Sequence, residues 1–78
     1  MNIKVYSKTG CPYCDKIKSV LDQRGMDYSM YLLDEDFTRD EFYEEFGAGT
    51  TFPQVIFDEE KIGGCRESIQ YLVNKNLI

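Results

Sequence analysis

An α/β fold, a mixed four-stranded sheet with three helices in the order β-α-β-α-β-β-α, is predicted by three features of the 78 residues. The apolar period changes from alternation to helical spacing at Pro12, a helix-capping pattern opens at Thr38, and two strand-like runs flank the short acidic turn "DEE". Strands and helices in that order pack as a sheet with helices on its faces.

Each element has its own signal. Residues 2–6, "NIKVY", alternate around Ile3 and Val5 and read as a buried strand running into "SKTG". From Pro12 onward Ile17, Val20 and Leu21 recur at helical spacing, while Asp15, Lys16, Lys18, Asp22 and Gln23 lie on other faces; Gly25 is the expected stop. Residues 28–33, "YSMYLL", read as a second strand, so the chain starts as a βαβ unit whose strands should run parallel. Thr38 and Glu41 form a capping box, with Phe37 and Phe42 at the staple positions. Phe42 and Phe46 share a face, and Gly47 ends that helix. After the loop "GAGTT", "PQVIF" at 53–57 and "KI" beyond the acidic turn should pair as a hairpin. Ile69, Leu72 and Val73, beyond Gly63 and Gly64, mark a third helix.

Length and composition bound the function. The chain, residues 1–78, is expected to be one domain, and a domain of this size buries only about 60% of the surface its unfolded chain exposes. Hydrophobic residues at 42% are enough for one core. Fourteen acidic residues against nine basic ones give a net charge of -5, which repels phosphate backbones and anionic lipid, so neither nucleic acid nor membrane is expected as a partner. The N-terminus has no apolar signal-peptide region and no run is long enough to span a bilayer, so a cytoplasmic location is expected. There, ordinary thiols stay reduced, and three cysteines make a poor structural framework.

The chemistry is carried by "TGCPYCDKI" at 9–17. At a strand-to-helix junction Cys11 falls at the N-cap, Pro12 at the first helical position and Cys14 in the first turn. Unpaired N–H groups and the positive end of the helix dipole then face the Cys11 sulfur. A thiolate there is stabilised, with pKa values falling to roughly 3.5–7.5 from about 8.5, and Lys8 adds a positive charge three residues upstream. Cys11 is expected to be the nucleophile and Cys14 the less ionised, more buried partner. Three readings compete. A closed zinc site needs four N or S ligands, and the chain has no His and one further cysteine. A structural disulfide over so short a loop constrains the unfolded chain little. The redox reading, C-x-x-C within a βαβ pattern, fits best, and no metal is expected.

The same residues carry a family resemblance. "VYSKTGCPYC", "TTFPQVIF" and "IGGC" followed by a closing helix resemble, nearly end to end, a small dithiol glutaredoxin of the thioredoxin-like superfamily. The resemblance implies glutathione-dependent reduction of protein disulfides and of glutathione mixed disulfides, with glutathione as reductant. It implies Cys11 as the attacking thiolate and Cys14 as the resolving thiol. Pro53 matches the family's cis-proline, and Phe52 before it, where valine is commoner, would offer its backbone to the cysteinyl part of glutathione. Lys8, Tyr13 and Thr51 match further glutathione contacts. Gly63 and Gly64 would let the chain approach closely, and the N–H groups of Cys65 and Arg66 would hold the γ-glutamyl carboxylate at the start of the third helix. Two positions depart from the pattern: Gly49 stands where relatives often carry Arg or Gln, and Arg66 where the residue is usually small or acidic.

Plainer readings stand beside these. Lys8 also reads as a solvated lysine, Tyr13 as a spacer over the sheet edge, Pro53 as a trans proline starting a strand, and Cys65 as a small buried residue. The acidic run from Asp34 to Glu45 reads as a solvated helix face, and Phe37, Phe42 and Phe46 as core. Two other functions stay open: a glutathione-ligated dimer carrying an iron-sulfur cluster, against which the Pro and Tyr between the cysteines argue, and a redoxin fed by thioredoxin reductase. The expected partners are glutathione and disulfide-containing proteins, ribonucleotide reductase among the family-level examples, with the chain a monomer.

Overall fold

The computed structural model describes residues 2–78. It contains β1 (Ile3–Ser7), α1 (Pro12–Gln23), β2 (Ser29–Leu32), α2 (Arg39–Phe46), β3 (Gln54–Phe57), β4 (Glu60–Gly63) and α3 (Cys65–Asn74), in the expected order. The sheet order is β2-β1-β3-β4. β1 and β2 run parallel, Val5 opposite Met30, as a helical crossover requires. β3 runs antiparallel to both β1 and β4, which makes the sheet mixed.

Small differences from the expected boundaries have local causes. β3 begins at Gln54 rather than Pro53, because a proline has no N–H to give the ladder. β2 stops at Leu32, where the chain turns: the N–H groups of Glu35 and Asp36 both donate to the Leu32 carbonyl, and the Asp36 carboxylate accepts the Leu32 N–H at 2.8 Å. Tyr28 lies outside the strand and its hydroxyl donates to Asp22 at 2.6 Å, tying the end of α1 to the start of β2.

The alternation of β1 sorts two apolar layers onto the two faces of the sheet. Ile3 and Val5 join Val55 and Phe57 on one face, where Ile17 and Leu21 of α1 and Leu72 of α3 cover them. On the other face Tyr6 packs its ring against Tyr31, Phe37, Phe42 and Phe46, with centroids 5.0–6.5 Å apart. This second layer is what holds α2. The capping box forms as expected, the Thr38 hydroxyl accepting the Glu41 N–H at 3.2 Å and the Glu41 carboxylate accepting the Thr38 N–H at 2.8 Å. Phe37 and Phe42 meet at 5.8 Å as the staple. At the other end of α2, Lys61 of β4 donates to the Glu45 carbonyl at 2.7 Å, a cation where the helix dipole is negative.

The β3–β4 hairpin turns on two residues, Asp58 and Glu59, with φ of +49° and +75°. That is the geometry of a type I′ turn, which favours Asn-Gly because both central residues are left-handed. Glu59 has no such freedom. Left-handed backbone costs an ordinary L-residue about 1–2 kcal/mol, while glycine loses roughly 0.5–1 kcal/mol of chain entropy on folding. A Glu59→Gly variant is therefore expected to gain up to about 1 kcal/mol and to melt roughly 4–8 °C higher by scanning calorimetry. An unchanged or lower midpoint would show that the turn stores no such strain.

Candidate functional site

The site is assembled where β1 hands over to α1. Gly10, with φ of +72°, lets the chain swing out of the strand, and Cys11 takes the extended backbone of an N-cap. Pro12 follows at the first helical position, where its missing N–H costs nothing. The Cys14 N–H then donates to the Cys11 sulfur at 3.1 Å, and the Asp15 N–H donates to the Cys11 carbonyl at 3.1 Å. The two sulfurs are joined in a disulfide with their Cα atoms 5.2 Å apart. Cys14 is the more buried by a narrow margin, 3% against 5% exposed, since each sulfur shields the other. Tyr13 between them turns outward and is 64% exposed.

A groove of about 570 Å³ opens beside Tyr13. It brings together Tyr13, Thr51, Phe52, Pro53, Cys65 and Arg66, six of the seven residues expected to meet glutathione. The Phe52–Pro53 peptide bond is cis. Gly64 sits against this segment: a Cβ on it would lie 3.5 Å from the Pro53 carbonyl oxygen and 3.2 Å from the Glu67 carboxylate. Gly63 is bound more tightly to glycine by its φ of +124°, and a Cβ there would also press on the Glu67 side chain at 3.2 Å. Gly64 thus caps α3 beside the Pro53 segment, and both line the groove.

Lys8, the seventh residue, does not line the groove. Its ammonium lies 5.6 Å from the centroid of the Phe52 ring. Gly49 is exposed in the loop after α2, with φ of +81°, and stands apart from the groove.

Four groove residues escaped the sequence reading: Lys16, Glu67, Ile69 and Gln70. Lys16 follows Tyr13 by three positions and Gln70 follows Arg66 by four, so helical spacing placed each beside a residue already singled out. Glu67 carried a stronger signal, an acid three residues after Gly64 at a helix start. Its carboxylate accepts the Gly64 N–H at 2.9 Å. The N–H groups of Cys65 and Arg66 lie in the same first turn, where a helix offers no carbonyl to pair with them.

Electrostatically the groove is mixed. Lys16 and Arg66 bring positive charge and Glu67 negative charge. Burial pushes the Cys65 thiol above its ordinary pKa; Glu67 adds to that, and Lys16 opposes it. Cys65, although it opens α3, is thus held toward its protonated form. Among the described residues, no group of three His, Cys, Asp or Glu side chains is placed to hold a metal ion.

Residues 3–62 match the glutaredoxin family model. Glutaredoxin 3 of Escherichia coli K12 is 33% identical over 64 residues, spanning 82% of this chain and 77% of that protein. The crystal structure of glutaredoxin 1 from Francisella tularensis, a complex with cacodylate, superposes with a TM-score of 0.80 at 29% identity, over 97% of this chain and 95% of that one. The buckwheat glutaredoxin-glutathione complex superposes with a TM-score of 0.79 at 29% identity, over 96% of this chain and 71% of that one. The N-capping cysteine pair and its groove thus sit on a backbone shared with these proteins, and the chain belongs to the glutaredoxin family.

Proposed function

We propose that this protein is a glutathione-dependent thiol-disulfide oxidoreductase working through Cys11 and Cys14. The observation that carries the reading is the Cys11–Cys14 pair at the start of α1, beside a groove of about 570 Å³. A solved relative, the buckwheat protein, is a glutathione complex, and a groove of this size suits a tripeptide thiol.

In the reduced enzyme the Cys11 thiolate attacks the glutathione sulfur of a mixed disulfide. The new Cys11–glutathione bond forms as the old disulfide breaks, and the substrate leaves as a thiolate that takes a proton from water. A second glutathione thiolate then attacks the glutathione sulfur bound to Cys11, releasing glutathione disulfide and restoring the Cys11 thiolate. With a protein disulfide as substrate, Cys11 joins one substrate sulfur and Cys14 attacks Cys11. That releases the dithiol and leaves the Cys11–Cys14 disulfide, which two glutathione molecules reduce. Ribonucleotide reductase is a family-level example of such a substrate.

The binding roles are those the family resemblance carries onto these positions. The Phe52 backbone pairs with the cysteinyl part of glutathione, and Thr51, Tyr13, Pro53 and Lys8 contact it. The γ-glutamyl carboxylate lies on the Cys65 and Arg66 N–H groups. The site works within a monomer.

A coupled assay following NADPH oxidation, with glutathione reductase, glutathione and a small glutathione mixed disulfide, tests this. Wild type and Cys14→Ser are both expected to turn over, and Cys11→Ser to fall to the uncatalysed rate. A folded wild-type protein without activity would overturn the reading. Cys65 gives a second check: with the protein reduced at pH 7, iodoacetamide should label Cys11 well before Cys65, whose raised pKa keeps it protonated until the pH rises further. Equal labelling of the two by mass spectrometry would contradict the contrast.

A further inference from the structure

We infer that the side chain of Phe52 is a positioning residue for Lys8, its ring holding the Lys8 ammonium at the edge of the groove. This rests on the reading above, in which Lys8 contacts glutathione, a ligand that carries carboxylates.

The ring is anchored from behind. Phe52 stacks on Phe42 of α2 with centroids 4.2 Å apart and planes within 13°, and Phe37 lies 6.2 Å away at 26°. Phe42 is 1% exposed, so the stack is footed in the core. A ring face covered at 4.2 Å has no room for an ammonium, so Lys8, 5.6 Å from the Phe52 centroid, occupies the opposite face. That separation lies within cation–π range. Among the described residues Lys8 makes no hydrogen bond or ion pair within the chain that would compete for its ammonium. The ring is therefore the contact its ammonium makes, and it favours the rotamers of a flexible, exposed side chain that place the charge over Phe52. Because Phe52 lines the groove, a carboxylate arriving at that edge finds the positive charge already in place, and the Lys8 side chain loses less freedom on binding.

The inference predicts a change in substrate binding rather than in chemistry. Phe52→Leu keeps a backbone N–H and carbonyl but removes the aromatic face, and should raise the KM for a glutathione mixed disulfide about two- to fivefold with kcat unchanged, the worth of one exposed cation–π contact. Phe52→Tyr should restore the wild-type KM. In a Lys8→Ala background Phe52→Leu should add nothing further, since the ring acts through Lys8. A structural reading independent of glutathione accompanies the kinetics: the ε-methylene proton resonances of Lys8 should be shifted upfield by the ring current in wild type and Phe52→Tyr, and return to ordinary lysine values in Phe52→Leu. Ordinary Lys8 shifts in the wild type, or additive KM effects in the double variant, would overturn the inference. A wild type with shifted Lys8 resonances and no turnover would instead overturn the glutathione reading and leave the placement of Lys8 standing.

Discussion

A single N–H from the first turn of α1, that of Cys14, points at the Cys11 sulfur, and the rest of the site is arranged around that contact. It exists because Cys11 stands at the N-cap, where a side chain takes over pairing that the helix cannot supply. Most helices fill this place with a Ser, Thr, Asn or Asp oxygen. Here it is filled by sulfur, so the group that caps the helix is also the group that can exchange disulfides. The same donors and dipole that satisfy the helix stabilise a negative sulfur. Gly10 and Pro12 make the handover from β1 possible, one by its left-handed backbone and the other by its fixed φ and missing N–H.

The remaining elements build the groove beside Tyr13 from two sides. On one, α3 starts beside the Pro53 segment, where its N-cap Gly64 faces the Pro53 carbonyl oxygen. On the other, the aromatic layer beneath α2 reaches the groove through the stack of Phe42 and Phe52. Lys61 holds the far end of α2 through the Glu45 carbonyl and places its ammonium 5.6 Å from the Phe46 ring centroid. The two apolar layers thus have different duties: the Ile3, Val5, Leu21 and Leu72 layer fixes α1, which carries the cysteine pair, and α3, whose first turn lines the groove, and the aromatic layer fixes the loop that lines the groove.

Much of this was legible in the sequence because its signals are local. The change of period at Pro12, the Thr38–Glu41 capping box and the two-glycine entry to α3 each involve residues within a turn of one another, and each took the expected form. What the sequence concealed depends on contacts across the fold. The ring of Phe52 reads in sequence as an odd choice before a proline, and only the approach of Phe42, ten residues earlier and on another element, gives it a support. Lys16 looks like one solvated lysine among several until α1 and α3 are seen to flank one groove. Asp58 tolerates left-handed backbone but Glu59 carries no chemistry that would announce it, so the hairpin was legible from its flanking strands and acidic turn while the left-handed pair at its tip was not.

The account stands or falls on the ionisation of Cys11, and the most direct measurement is the pH dependence of its alkylation rate in the reduced protein, with the labelled site identified by mass spectrometry. If the start of α1 stabilises the thiolate as argued, the rate should reach its plateau with a midpoint below about 7.5. A midpoint at the ordinary thiol value of about 8.5 would mean that the helix start does not act on the sulfur, and the proposed nucleophile would lose its physical basis.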